Sequence, residues 1–357
     1  MKFLLTTFII LGSISKTFSQ RGDSVLLKDY RPISIYKNKK SKVEKAKYPV
    51  IDVHAHANFV TSPDQIITWV ENMDKAGIEK TIILSYATGK EFDSIVKVYE
   101  PYKDRFELWC GFDYTGFKEK GWIDKAVKEL ERCYGIGAKG VGELGDKGLG
   151  LFYSHPTPAY GLHVDDPILK PLFEKCAELN MPVNVHVAEP YWMYLASNKH
   201  NDGLMLAHTW QVDMTKEGIL GHTELIKTLD RVVGQNPNTT FIACHMANCS
   251  HDLSIIGELF DKHTNLYGDI GARFSVLSPI PKYVSQFITK YNDRILYGTD
   301  MGIDRHMYET TFRILESNDE HFYEIDLFGV HWPLYGFGLD DETLKKIYYE
   351  NAKKIYE

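Results

Sequence analysis

From residue 48 onward the chain alternates between two patterns. Short runs rich in β-branched and aromatic residues are followed by longer stretches with apolar positions every three to four residues. The first pattern reads as strand and the second as amphipathic helix. Strand-like runs fall at about 48–57, 79–87, 105–114, 138–145, 182–190, 239–247, 264–272 and 294–300. Helical patterns occupy about 63–77, 91–100, 121–134, 167–180, 222–236, 251–263, 279–291 and 340–356. Eight strands, each followed by a helix, is the grammar of a (β/α)8 TIM barrel. A doubly wound open sheet shares the alternation but needs a topological switch point and usually a Gly-rich first turn. Here the first strand ends instead in His54-Ala55-His56.

Three connections are long, 146–166 after strand four, 188–221 after strand five and 301–339 after strand eight. In a barrel all three emerge at the C-terminal face, where active sites lie. They are rich in aromatics, among them Tyr153, Tyr160, Trp210, Trp332 and Tyr335. Most are expected to pack the loops onto the barrel. Tyr191 and Trp192 are candidates to line a substrate pocket.

The first residues look different. Lys2, an apolar run from Phe3 to Leu11 and Thr17-Phe18-Ser19 form a secretory signal pattern with Gln20 as the new N-terminus. Residues 1–19 are therefore expected to be a signal peptide, 20–47 a polar, Lys-rich N-terminal arm, and 48–357 the barrel. The mature protein is expected to be exported, periplasmic or extracellular, and soluble. The signal core is too short to span a bilayer, and no other apolar run is long enough. The absence of Cys before Cys110 argues against a lipid anchor. Five cysteines without CxxC spacing are not a disulfide framework and read as buried thiols. Strand alternation sends Cys244 to the face opposite His245. A net charge of −7 argues against nucleic acid as a partner, leaving a small-molecule substrate. Oligomeric state is not legible.

The candidate chemistry sits where strands end. In a strand His54 and His56 point the same way, as half of a transition-metal site. Glu143 lies in Gly142-Glu143-Leu144-Gly145, His186 ends Val183-Asn184-Val185-His186, His245 ends Ala243-Cys244-His245, and Asp300 ends Tyr297-Gly298-Thr299-Asp300. In a barrel all these ends converge on one mouth, and buried polar ends need partners. Asp52 shares the face of the two histidines. It either orients a ligand imidazole or is a buried structural carboxylate. Arg273 follows strand seven and is a candidate clamp for a substrate carboxylate, with a surface ion pair as the alternative. Arg305 and His306 follow Asp300 closely. Lys139 shares the strand of Glu143.

These residues resemble the amidohydrolase superfamily. Ile51-Asp52-Val53-His54-Ala55-His56, Tyr297-Gly298-Thr299-Asp300-Met301 and Lys346-Ile347-Tyr348-Tyr349-Glu350-Asn351-Ala352 are similar to its amidohydrolase-related branch, which includes aminocarboxymuconate-semialdehyde decarboxylase and several lactonases. The resemblance covers about residues 48–357. It implies metal ligation by His54, His56, His186 and Asp300. It also implies a strand-six histidine, His245, that binds a second metal or acts on substrate and water. Glu143 stands where two-metal relatives place a bridging carboxylate, and its Gly-Glu-Leu-Gly phrase is similar to TatD-type nucleases. One or two divalent ions are implied, with Zn favoured by the imidazole and carboxylate set and Mn, Fe or Ni also compatible. Asp300 would take a proton from the attacking water and His245 would stabilise the oxyanion. The expected activity is hydrolysis of an ester, lactone or amide bond in a small molecule. The rivals are a metal-dependent decarboxylase of the same branch and a non-catalytic binding protein on the same scaffold.

Overall fold

The computed structural model describes residues 24–60 and 62–356; the signal segment lies outside the described residues. Eight parallel strands follow one another around the sheet, β1 (Val50–Ala55), β2 (Ile78–Leu84), β3 (Phe106–Cys110), β4 (Gly140–Asp146), β7 (Val183–Val187), β8 (Phe241–Ala243), β9 (Leu266–Asp269) and β10 (Ile295–Leu296). A small antiparallel hairpin, β5 (Gly150–Leu151) and β6 (Ala159–Tyr160), branches off β4 inside the first long connection. The sheet closes on itself through backbone bonds just beyond β10. Val53 N donates to Tyr297 O at 3.0 Å and Asp300 N donates to His54 O at 2.8 Å. Closure leaves no open edge and makes the eight-stranded sheet a (β/α)8 barrel.

The helices form where the apolar spacing requires. Pro63–Ala76 starts with proline in its first turn, where a missing N–H is harmless, and ends at Gly77 with φ 85°. Its buried stripe is Ile66, Trp69, Met73 and Ala76. Burying each large apolar side chain of this kind contributes about 1.5–3 kcal/mol. Helix His222–Gln235 likewise turns Leu225, Leu229, Val232 and Val233 inward. Strands β1, β4 and β7 are buried along their whole length, as strands sandwiched between a barrel interior and a helical layer must be.

The chain departs from the sequence expectation at two strand ends. The expected strand 239–247 stops at Ala243, because His245, Met246, Ala247 and Asn248 all take left-handed φ angles of 52–57°. Each such residue other than glycine costs roughly 1–2 kcal/mol. The inward face of this strand is that of Ile242, in register with Asn184. Alternation therefore carries Cys244 inward, its Sγ 2.6 Å from Asn184 Oδ1, and not to the outer face as expected. The turn then brings His245 to the same mouth. The expected strand 294–300 is two residues long, Ile295–Leu296; beyond it Tyr297 N donates to Ile347 O at 2.8 Å, and Asp300 has a left-handed φ of 51°. The long connections hold helices the periodicity did not reveal, the short Leu204–Trp210 and Ile325–Phe328 and the 12-residue Arg305–Glu316.

The described part of the arm, from residue 24, lies along the strand-eight connection. Asn38 Nδ2 donates to Glu320 O at 2.9 Å, and Ser41 donates through N and Oγ to the Asp319 carboxylate, both at 2.8 Å. All five cysteines are buried and unbridged. No helix among the described residues is long and apolar enough to cross a membrane.

Candidate metal centre

His54, His56, Glu143, His186, His245 and Asp300 come together at the C-terminal mouth of the barrel. His54 and His56 leave β1 on one face, with ring centroids 5.2 Å apart. The left-handed turn after β8 brings His245 against them, its ring 4.8 Å from that of His54. Gly298 permits the close approach of the last strand to the first. A Cβ there would sit 2.8 Å from the Cβ of His54.

Three imidazoles are oriented alike. His54 Nδ1 donates to Asp269 Oδ2 at 3.1 Å, His56 Nδ1 to Leu84 O at 2.9 Å and His245 Nδ1 to Gly271 O at 2.7 Å. Carbonyls and ionised carboxylates only accept, so these partners fix the proton on Nδ1 and leave the Nε2 lone pair free. All three Nε2 atoms face the carboxylates of Asp300 and Glu143. Asp300 Oδ1 lies 3.1 Å from His56 Nε2 and 3.7 Å from His54 Nε2, and its Oδ2 lies 3.6 Å from His245 Nε2. Glu143 lies 3.6 Å from His56 Nε2 and 3.7 Å from His245 Nε2.

This donor set fits a divalent cation. His54 Nε2 is buried with no hydrogen-bond partner, which is costly for a polar atom unless it ligates. His54, His56 and Asp300 place one donor atom each within 4.8 Å of one another, as do His54, Glu143 and His245. His186 belongs to neither trio. Its Nδ1 bonds Glu143 Oε1, so it reaches the cluster through that carboxylate.

The electrostatics agree. Burial opposes a charged imidazole at His54, but Asp269 and Asp300 outweigh it and raise its pKa to about 10. Burial alone would raise Glu143 and Asp300. His186 and His245 instead pull Glu143 well below the usual carboxylate range, and His54 and His56 do the same for Asp300. Burial, reinforced by the charge of Arg273, lowers His245 to about 4. The site therefore keeps its carboxylates ionised and draws positive charge between them, which a metal supplies.

Above the cluster opens a cavity of about 410 Å3. Its walls include Tyr86, Tyr153, Lys147, Glu189, Met193 and Arg273. Tyr153 packs its ring onto Gly145, where a Cβ would come within 2.0 Å of it. Lys147 is ion-paired with Glu189. Arg273 does reach the cavity, and its three hydrogen bonds go to neutral oxygens, Asn248 Oδ1 at 3.0 and 2.6 Å and Ala272 O at 2.9 Å.

Other candidates lie elsewhere. Tyr191 stacks on His251 with ring centroids 4.4 Å apart, and Trp192 covers Gly203. Met193 takes the wall position in that segment. A short 3-10 turn over Tyr191–Tyr194, rather than an extended loop, rotates the two aromatics away. Arg305 pairs with Glu309, His306 pairs with Glu324, and the Lys139 ammonium lies 6.0 Å from the Tyr134 ring centroid, on the outside. Asp52 does not orient an imidazole. It accepts from Thr299 N at 3.0 Å, Thr299 Oγ1 at 2.6 Å and His54 N at 3.2 Å, pinning the barrel seam. The orienting carboxylate is Asp269, which the sequence reading missed. Its signal was present, a lone acid closing the apolar run Leu266-Tyr267-Gly268-Asp269.

A closed (β/α)8 barrel with imidazoles and carboxylates gathered at its C-terminal mouth defines a metal-dependent barrel enzyme. The family is then direct. A family model described as amidohydrolase (Amidohydro_2) matches residues 51–357, and the chain belongs to that family. A search of the curated proteins finds no match. Among solved structures, 2,6-dihydroxybenzoate decarboxylase from Rhizobium is 16% identical with a TM-score of 0.52, covering 87% of this chain and 98% of that one. A dihydroxybenzoic acid decarboxylase from Polaromonas sp. JS666, with bound manganese and the inhibitor 2-nitroresorcinol, is 18% identical with a TM-score of 0.51, covering 87% and 97%. A TIM-barrel protein from Bordetella bronchiseptica is 18% identical with a TM-score of 0.52, covering 86% and 98%. At these identities the likeness is one of fold.

Proposed function

We propose that this amidohydrolase-family enzyme is a hydrolase that adds water to an ester, lactone or amide carbonyl of a small molecule carrying an anionic group. The supporting observation is Asp300. Its carboxylate touches the imidazoles of His56 and His245, is held ionised, and keeps 21% side-chain exposure toward the cavity. An ionised acid placed there accepts a proton from water and does not supply one to a carbon.

His54, His56 and Asp300 would hold a divalent metal, for which zinc is our choice, with Glu143 and His245 offering a second position. Such an ion polarises a carbonyl and acidifies water in the cavity. Asp300 takes the proton from the attacking water, a step worth about 10²–10⁴-fold in rate. His245, neutral and with Nε2 facing the cavity, takes up the proton relay or stabilises the developing charge. His186 holds Glu143 in place. Arg273 receives the anionic group of the substrate. The enzyme is also proposed to be exported by its first 19 residues.

The decarboxylase reading is favoured by one feature, the cationic Arg273 beside the cluster, which suits a carboxylate substrate. Metal-loaded protein, assayed against lactone, ester, amide and aromatic-acid panels in 18O-labelled water, separates the two. Label in the product acid supports hydrolysis. Release of CO2 without label incorporation overturns it in favour of decarboxylation. Turnover of nothing in any panel would support a binding protein.

A further inference from the structure

Arg273 lies at the cavity wall, and what holds it there is Asn248. The Asn248 side chain is fully buried and uses both ends of its amide. Oδ1 accepts from Arg273 Nε at 3.0 Å and from Nη2 at 2.6 Å. Nδ2 donates to Val187 O at 3.2 Å and Ala188 O at 3.1 Å, at the end of the strand that carries His186. The amide cannot be flipped, because a guanidinium only donates and a carbonyl only accepts. The backbone is equally committed. Asn248 has a φ of 56°, and its carbonyl accepts from His222 Nε2 at 3.1 Å. Asparagine tolerates this left-handed conformation better than most residues.

The choice of amide over acid matters. An aspartate here would make the same two bonds to Arg273 but would neutralise it, and its second oxygen would oppose two carbonyls. With asparagine, the guanidinium is oriented by a bidentate neutral acceptor and keeps its positive charge for the cavity. We propose that Asn248 is the positioning residue that aims Arg273 into the cavity without tying it to a carboxylate by hydrogen bonds, and so sets the preference of the site for an anionic substrate group. This rests on the reading of Arg273 as the receiver of that group.

The test uses metal-loaded protein, with benzoate as the anionic probe and benzamide as its neutral counterpart, both titrated by calorimetry. The variants are Arg273→Gln, Asn248→Asp and Asn248→Gly. Melting temperature and metal content are followed for each. Glycine accepts the left-handed backbone, so Asn248→Gly decides the matter if Asn248→Asp does not fold. Wild type should prefer benzoate. All three variants should lose about ten- to hundredfold in benzoate affinity, the scale of a charge-assisted contact, with benzamide unchanged. If Arg273→Gln keeps the preference, or wild type has none, the anionic reading falls and the role of Asn248 with it. If Arg273→Gln loses it while both Asn248 variants keep it, only the Asn248 proposal is overturned. Equal loss of both probes in the Asn248 variants would mark a structural role and also overturn it.

Discussion

Asp269 Oδ2 accepts a hydrogen bond from His54 Nδ1 at 3.1 Å, and both side chains are fully buried. The same carboxylate takes the backbone N–H groups of His245 at 3.2 Å and Gly271 at 2.9 Å through Oδ1. One acid thus fixes the tautomer of one imidazole and the backbone of a second. Asp269→Asn should weaken metal binding about 10–100-fold, as loss of an orienting partner behind a ligand does. A chelator competition titration measures this. An unchanged metal affinity would show that Asp269 serves packing alone.

Replacing both His54 and His56 by alanine should remove tight metal binding. A ligand present at 100 times its Kd stabilises the folded state by about 2.7 kcal/mol. Wild type should therefore melt higher with metal than with chelator, and the double variant should melt at the same temperature in both. A metal-dependent shift that survives the double substitution places the ligands elsewhere.

Asp300→Asn preserves shape and removes the proton acceptor. Turnover should fall toward the upper end of about 10²–10⁴-fold, because the same group is also one of the metal donors. The melting temperature should change little, since no core volume is lost. Near-normal turnover with metal retained would take Asp300 out of the mechanism, and a collapsed melt would assign it to the barrel seam.

His222 gives a pH signature away from the metal cluster. Burial, opposed by its bond to Asn248 O, lowers its pKa to about 4. The unfolded chain takes up this proton near pH 6.5 and the folded chain only near 4, so protonation favours unfolding. The contribution is complete above about pH 6.5 and is lost as the pH falls toward 4, a change on the order of 3 kcal/mol. Urea midpoints of wild type and His222→Gln at pH 7, 5.5 and 4.5 check it. The wild type should lose its lead over the variant as the pH drops; a constant difference would refute the assignment.

If residues 1–19 direct export, the chain recovered from its native cell should begin at Gln20. Mass spectrometry of the intact protein decides this. Full-length chain in the cytoplasm would remove the export reading.

The sequence by itself determined the barrel and most of its cluster. Eight alternating patterns imply parallel strands covered by helices, because a strand buried on both faces must be apolar throughout and each helix needs one apolar stripe. Polar groups that close such strands, His54, His56, Glu143, His186 and His245, stand out because burial there is costly without a partner. Tertiary structure decided what local periodicity does not encode. The left-handed run His245–Asn248 brought His245 to the mouth where alternation alone points Cys244, and swung Asn248 under Arg273, and a period-two pattern contains no signal for such a turn. Tyr191 and Trp192 were plausible wall residues by composition, but the 3-10 turn that carries them presents Met193 to the cavity instead. Asp52 and Asp269 look alike in sequence, each a lone acid in an apolar strand, the first midway along β1 and the second closing β9. Only closure of the barrel, which puts Thr299 beside Asp52 and His54 beside Asp269, gave one the seam and the other the metal site.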